Sequence, residues 1–148
     1  MSVTVALAAV AALLAATVVL GVLLKSREGG RRRGAKRGAE LRLAPADLAP
    51  AALAERATLV QFSTEFCARC PQVRRVLGAW ADARDGVAHA EIDLTHRRDL
   101  AARYGVLSTP TTLLVDGDGV IRARFLGVPR LDAVADALAE LPGPSINA

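Results

Sequence analysis

Thr58-Leu59-Val60-Gln61-Phe62-Ser63-Thr64-Glu65-Phe66-Cys67-Ala68-Arg69-Cys70-Pro71-Gln72-Val73 is the stretch that decides the fold. Its two cysteines are the only ones among 148 residues. The apolar run before them reads as a strand buried on both faces. After them, Val73, Val76, Leu77 and Trp80 recur at helical spacing and predict a helix over 68–84. A Cys-x-x-Cys where a strand gives way to a helix is the arrangement of a thiol–disulfide redox pair. Positions i and i+3 on a helical turn lie about 5–6 Å apart, within the range a disulfide spans. Cys67 is expected at the helix N-terminus, where free N–H groups favour a thiolate. It is therefore the candidate attacking thiol, and Cys70, one turn further in, the resolving one. Arg69 places a cation between them that favours the Cys67 thiolate. Pro71 follows early enough for its missing N–H to cost little.

Outward from this site, the composition is 52% hydrophobic but only 3% aromatic, so the core must be aliphatic. The net charge of +4 is unevenly placed. Residues 25–42 hold eight Lys/Arg and two Asp/Glu, whereas residues 43–148 hold eleven and thirteen. The basic character belongs to one short strip, which argues against a nucleic-acid-binding domain. Two cysteines make neither a disulfide scaffold nor a four-cysteine zinc site.

Val3 to Leu24 contains no charged residue. A helix of that length runs about 33 Å, enough for a hydrocarbon core of about 30 Å. No basic side chain precedes the run, and it is longer than the core of a signal peptide. Residues 1–25 are thus expected to be an uncleaved transmembrane anchor. Lys25, Arg27, Arg31, Arg32, Arg33, Lys36 and Arg37 all follow it. The positive-inside bias then puts the C-terminal portion in the cytoplasm, as a single-pass protein of the cell membrane. Residues 26–40, rich in Gly and Arg, read as a basic flexible linker spanning roughly 20–23 Å. Its arginines either bind anionic lipid or only set topology.

Further along, Leu41-Arg42-Leu43 reads as a short edge strand and Pro45 to Arg56 as a first helix capped by Asp47. Val87–Asp93 and Thr111–Val115 read as strands, Asp99–Tyr104 as a helix ended by Gly105. Asp116-Gly117-Asp118-Gly119 is a tight hairpin signal before a strand at Val120–Phe125. Leu131–Leu141 is an amphipathic helix with Leu131, Val134, Ala135, Leu138 and Leu141 inward. Residues 142–148 are expected to be a disordered tail. The order β-α-β-α-β-α-β-β-α predicts an α/β domain over 41–141, a mixed sheet with helices on both faces. Phe62, Trp80 and Phe125 are assigned to the core, His96 to the surface, and Asp93 to a strand end.

With these elements in order, the chain resembles the thioredoxin family. The resemblance rests on Phe66-Cys67-Ala68-Arg69-Cys70, Ile92-Asp93, Tyr104-Gly105-Val106-Leu107-Ser108-Thr109-Pro110-Thr111 and Gly127. It implies the thioredoxin fold, and a cis Thr109–Pro110 bond facing the cysteines. Thr109 and Pro110, with Phe66, would then contact an extended peptide substrate. Gln61 stands where these thioredoxins have a buried aspartate thought to take the resolving thiol's proton, and Phe66 where they have tryptophan. Ala68-Arg69 replaces Gly-Pro, and His89 stands where they have lysine. His89 is a candidate substitute base, because imidazole titrates near neutrality. The plainer alternative is that His89 and Gln61 bond each other. Arg69, Gln61 and His89 are thus the candidate tuning residues.

The function expected is a membrane-tethered thiol–disulfide oxidoreductase of the protein-disulfide reductase type. Its partners would be a disulfide-containing protein and a thioredoxin-reductase-type or other dithiol electron donor. No cofactor and no bound metal are called for. Two other classes stay open: a metal-holding Cys-x-x-Cys protein joined by His89 or His96, and a redox-responsive membrane sensor without turnover.

Overall fold

The computed structural model describes residues 3–27, 31–33 and 41–142. The tail expected from 142 lies outside them beyond its first residue, as does most of the expected linker. α1 (Val3–Arg27) is one uninterrupted helix, uncharged as far as Leu24 and ending in Lys25-Ser26-Arg27. Among the described residues it alone is long and apolar enough to cross a membrane, a test that a signal sequence at this position also passes.

The sheet is built from β1 (Arg31–Arg33), β2 (Ala57–Ser63), β3 (Val87–Asp93), β4 (Thr111–Asp116) and β5 (Ile121–Leu126). Its order is β1-β5-β4-β2-β3, with β2 and β3 parallel and every other pair antiparallel. β2 therefore has a strand on each side, and all seven of its residues are buried, as its continuous apolar run implied. β1 falls within the stretch read as linker; there it fills the outer edge of β5, whose backbone groups need partners. Arg42 continues that edge by bridging Val120, where a short edge strand was expected.

Helices cover both faces of the sheet. α3 (Cys70–Asp82) and α5 (Leu131–Ala139) lie on one face, packing Val73, Leu77, Trp80, Val134 and Leu138 against Leu59, Leu114 and Phe125. α2 (Pro45–Leu48) and α4 (Arg98–Arg103) lie on the other, packing Leu48 and Leu100 against Val60, Phe62, Ile92 and Leu113. Each such side chain contributes about 1.5–3 kcal/mol when fully buried. Phe62, Trp80 and Phe125 are core residues, and His96 is exposed.

Three expectations about the helices need correction. The first helix stops at Leu48 instead of reaching Arg56, because Pro50 has no N–H to continue it. Asp47 does not cap that helix: its Oδ2 accepts hydrogen bonds from Tyr104 Oη and Arg103 Nη1, each at 2.6 Å. Leu131 in α5 is 38% exposed, and Ala137 takes the buried position instead. The hairpin reading holds: Asp116 Oδ1 accepts the N–H groups of Asp118 and Val120, and Gly119 adopts φ +82°.

Candidate active site

Cys67 and Cys70 are joined in a disulfide, with Cα atoms 5.4 Å apart. The helix begins at Cys70, not at residue 68. Pro71 explains the shift. It has no N–H for the Cys67 carbonyl, which instead accepts the Cys70 N–H three residues on. Cys67 thus sits in the turn leading into α3 and is half-buried, while Cys70 is 2% exposed. The outer sulfur can meet a second molecule and the inner one only its neighbour. This is the division of labour expected of an attacking and a resolving thiol. Phe66 projects beside them, 88% exposed, and Arg69 is also exposed.

Across from this turn runs the segment between α4 and β4. The Thr109–Pro110 bond is cis. Its surroundings hold the segment closely: Thr111 Oγ1 donates to Ser108 O at 2.7 Å, and Gly127 N donates to Pro110 O at 2.9 Å. Thr109 Oγ1 lies 3.3 Å from Thr64 Oγ1, which ties the segment to the loop carrying the cysteines. Arg69, Ser108, Thr109, Pro110, Leu126 and Gly127 line a groove of about 380 Å³. The structure therefore brings Arg69 together with Thr109 and Pro110. Leu107, 98% exposed, is an apolar side chain on the same segment that sequence reasoning did not single out.

Beneath the disulfide is a polar seam. Gln61 is fully buried on β2, and its Nε2 donates to Cys70 O at 3.1 Å. Its Oε1 lies 3.1 Å from His89 Nε2. An amide oxygen only accepts, so His89 Nε2 carries the hydrogen. The pair thus realises the plainer alternative: His89 supports Gln61, and Gln61 supports the backbone of the resolving cysteine. Burial holds the His89 imidazole below its ordinary 6.5, so it is neutral at pH 7.

Glu91 and Arg74 were not foreseen. Glu91 is the register partner of Gln61 on β3, and its Oε2 lies 2.5 Å from Arg74 Nε of α3. Burial alone would raise the Glu91 carboxyl, but the Arg74 guanidinium bound to it brings it below its ordinary value. The signal was present: strand parity puts His89 and Glu91 on one face, the face Gln61 also uses. Among the described residues, no group of three or more His, Cys, Asp or Glu comes together as a metal site.

A thioredoxin family model matches residues 47–140. Thioredoxin-2 of Pyricularia oryzae is 28% identical over 85 residues, covering 57% of this chain and 50% of that protein. Protein disulfide-isomerase erp38 of Neurospora crassa is 30% identical over 108 residues, covering 70% of this chain and 29% of that one. The chain thus spans half or less of the length of these two relatives. Among solved structures, a mutant thioredoxin from Halobacterium salinarum NRC-1 aligns at a TM-score of 0.50 and 26% identity. That alignment covers 60% of this chain and 79% of that one. Fasciola hepatica thioredoxin aligns at 0.51 and 23% identity, over 60% and 84%, a likeness of fold alone. With the strand order, the bridged Cys-x-x-Cys and the cis-proline already in place, the match across residues 47–140 establishes that this chain belongs to the thioredoxin family.

Proposed function

We propose that this protein is a membrane-tethered thiol–disulfide oxidoreductase acting as a protein disulfide reductase. The observation that carries the reading is the bridged pair itself, one sulfur accessible and one buried, beside a groove built on the cis-proline segment. In the reduced protein, the Cys67 thiolate attacks one sulfur of a substrate disulfide. A Cys67–substrate disulfide forms, and the other substrate sulfur leaves as a thiolate that takes up a proton. The Cys70 thiol then loses its proton, and its sulfur attacks Cys67 Sγ. The second substrate sulfur leaves, and the Cys67–Cys70 bond closes. Two electrons pass to the substrate. A dithiol donor, of the thioredoxin-reductase type or another, must supply two electrons to restore the pair.

Phe66, Thr109 and Pro110 are the proposed substrate contacts, and Arg69 and Gln61 the proposed tuning residues. Arg69 places a cation near the attacking sulfur; Gln61, backed by His89, fixes the resolving cysteine's carbonyl. The apolar length of α1 supports tethering, and the basic residues that follow it support a cytoplasmic domain. The cytoplasm keeps thiols reduced, which favours the reductase direction.

Cys70→Ser tests the reading directly. It should strand substrate proteins on Cys67 as mixed disulfides, and the wild-type chain should reduce insulin with a dithiol donor. Absence of both would remove the enzyme reading. A redox potential near the strongly oxidising end, about −120 mV, would remove the reductase direction. A C-terminal alkaline-phosphatase fusion with high activity would reverse the orientation.

A further inference from the structure

Resolution requires the Cys70 thiol to lose its proton, because the attacking species is the thiolate. Cys70 is 2% exposed, so that proton cannot pass directly into bulk water. Gln61 cannot take it, because an amide has no basic site. His89 presents its Nε2–H to Gln61 Oε1, so the ring nitrogen facing the seam already carries a hydrogen.

Glu91 remains on this face. Cys67, Cys70, Pro71, Arg74 and Glu91 are among the residues lining a cleft of about 310 Å³ that opens beside the disulfide. That space is large enough to admit water. Arg74 engages Glu91 Oε2, while Oε1 is buried and makes no hydrogen bond of normal geometry among the described residues; the Ser63 hydroxyl, on the same cleft, also favours the carboxylate form. A buried carboxylate oxygen without a close partner keeps a lone pair open to a proton arriving through the cleft. The charged groups facing the cleft are Arg74 from α3, Glu65 from the loop after β2, and Glu91 and Asp93 from β3. His89 lies further along the same face, within the field of Asp82 of α3. Asp93 Oδ1 is occupied by the Thr95 N–H and hydroxyl.

We propose that Glu91, held by Arg74 on the wall of the cleft, is the group through which the buried Cys70 thiol exchanges its proton. The proposal rests on the oxidoreductase reading. The proton leaves Cys70 Sγ for the Glu91 carboxylate by way of the cleft, and the freed electron pair forms the bond to Cys67 Sγ. The substrate thiolate leaves, and the carboxylic acid returns the proton to solvent at the cleft mouth. Arg74 keeps Glu91 ionised through neutral pH, so it enters each cycle able to accept. A carboxylate and a thiolate lining one cleft disfavour each other's charge, which eases the passage of a proton from one to the other.

The test mixes the reduced full-length chain in detergent with excess dithiobis-nitrobenzoate, from pH 4 to 9. This aromatic disulfide releases one coloured thiolate when Cys67 attacks and a second when Cys70 resolves. In Glu91→Gln the first phase should be unchanged. The second should slow at least about tenfold at pH 7 and rise steeply with pH as hydroxide takes over. Plain electrostatics predicts the reverse, since removing a negative charge eases thiol ionisation and would speed resolution. A second phase that is unchanged or faster in E91Q overturns the proposal. Arg74→Gln keeps the carboxylate but leaves burial to raise it, so the acid limb of the second phase should move to higher pH. If E91Q misfolds, an unmoved acid limb in R74Q overturns the proposal by itself. A wild-type chain with no first phase removes the oxidoreductase reading, and this inference with it.

Discussion

Gln61 and Phe62 are neighbours on β2, both fully buried, and they belong to different worlds. Phe62 faces the side covered by α2 and α4, where it belongs to a cluster that includes Val60, Leu100, Ile92 and Leu113. Its ring lies 5.7 Å from that of Tyr104. Gln61 faces α3, where the core is apolar under Leu77 and Trp80 but turns polar below the disulfide. There Gln61, Glu91 and Thr112 sit in register across three strands, and His89, two residues before Glu91 on β3, reaches Gln61 from the side. Two of their oxygens, Glu91 Oε1 and Thr112 Oγ1, are buried without a hydrogen-bond partner among the described residues. Both faces carry an apolar core, but the α3 side interrupts it with a polar seam beneath the disulfide.

The sharpest break of this contrast is Phe62→Ala. It should cost about 3–5 kcal/mol, read from denaturant unfolding, by opening a cavity in the apolar face. A loss under about 1 kcal/mol would mean that this face is not where stability is concentrated. Gln61→Leu should cost less, about 1–3 kcal/mol, because it strands the Cys70 carbonyl and the His89 N–H. It should also slow resolution. A variant more stable than wild type would show the seam to be purely a cost.

Phe66→Ala sharpens the contrast from outside. The side chain is nearly fully exposed, so stability should move by less than about 0.5 kcal/mol. KM for a protein disulfide should rise, while reaction with a small disulfide should not change. Equal loss for both substrates would point to a disturbed disulfide rather than a lost contact.

The smallest effect concerns His89. Its folded value lies below 6.5, so above that pH neither state takes a proton and the residue adds no pH dependence. As pH falls below 6.5, the unfolded imidazole binds a proton that the folded one resists, and stability declines. His89→Gln keeps a donor for Gln61 Oε1 and removes this contribution. Its Tm should therefore fall less than that of wild type between pH 7 and pH 5. An identical fall would show that His89 is not held neutral.

Much of this could be read from the residues alone. The continuous apolar run at β2 called for cover on both faces, and the structure supplies it. The element order, the Asp-Gly-Asp-Gly hairpin and the helix behind the cysteines follow from period and turn chemistry, which act over a few residues. The helix boundaries were less legible. Pro71 shifts one helix start, and Pro50 brings another helix to an early end, each by removing a single N–H group, and the effect depends on which carbonyl that group would have met.

Glu91 shows where sequence reading stopped. Its place on an alternating strand could be read, but its distance from Cys70 along the chain conceals that the two share a cleft. Asp47 is similar: near a helix start it reads as a cap, yet it serves Tyr104 more than fifty residues away.

The sequence by itself determined that a redox-capable pair sits between a buried strand and a helix, because sulfur spacing and hydrophobic period are local properties. Only the tertiary structure decided which sulfur is exposed, that His89 binds Gln61, and that Arg74 and Glu91 stand beside the pair. Those outcomes depend on strand register and on packing between distant segments, and a one-residue slip would turn each of these side chains to the opposite face.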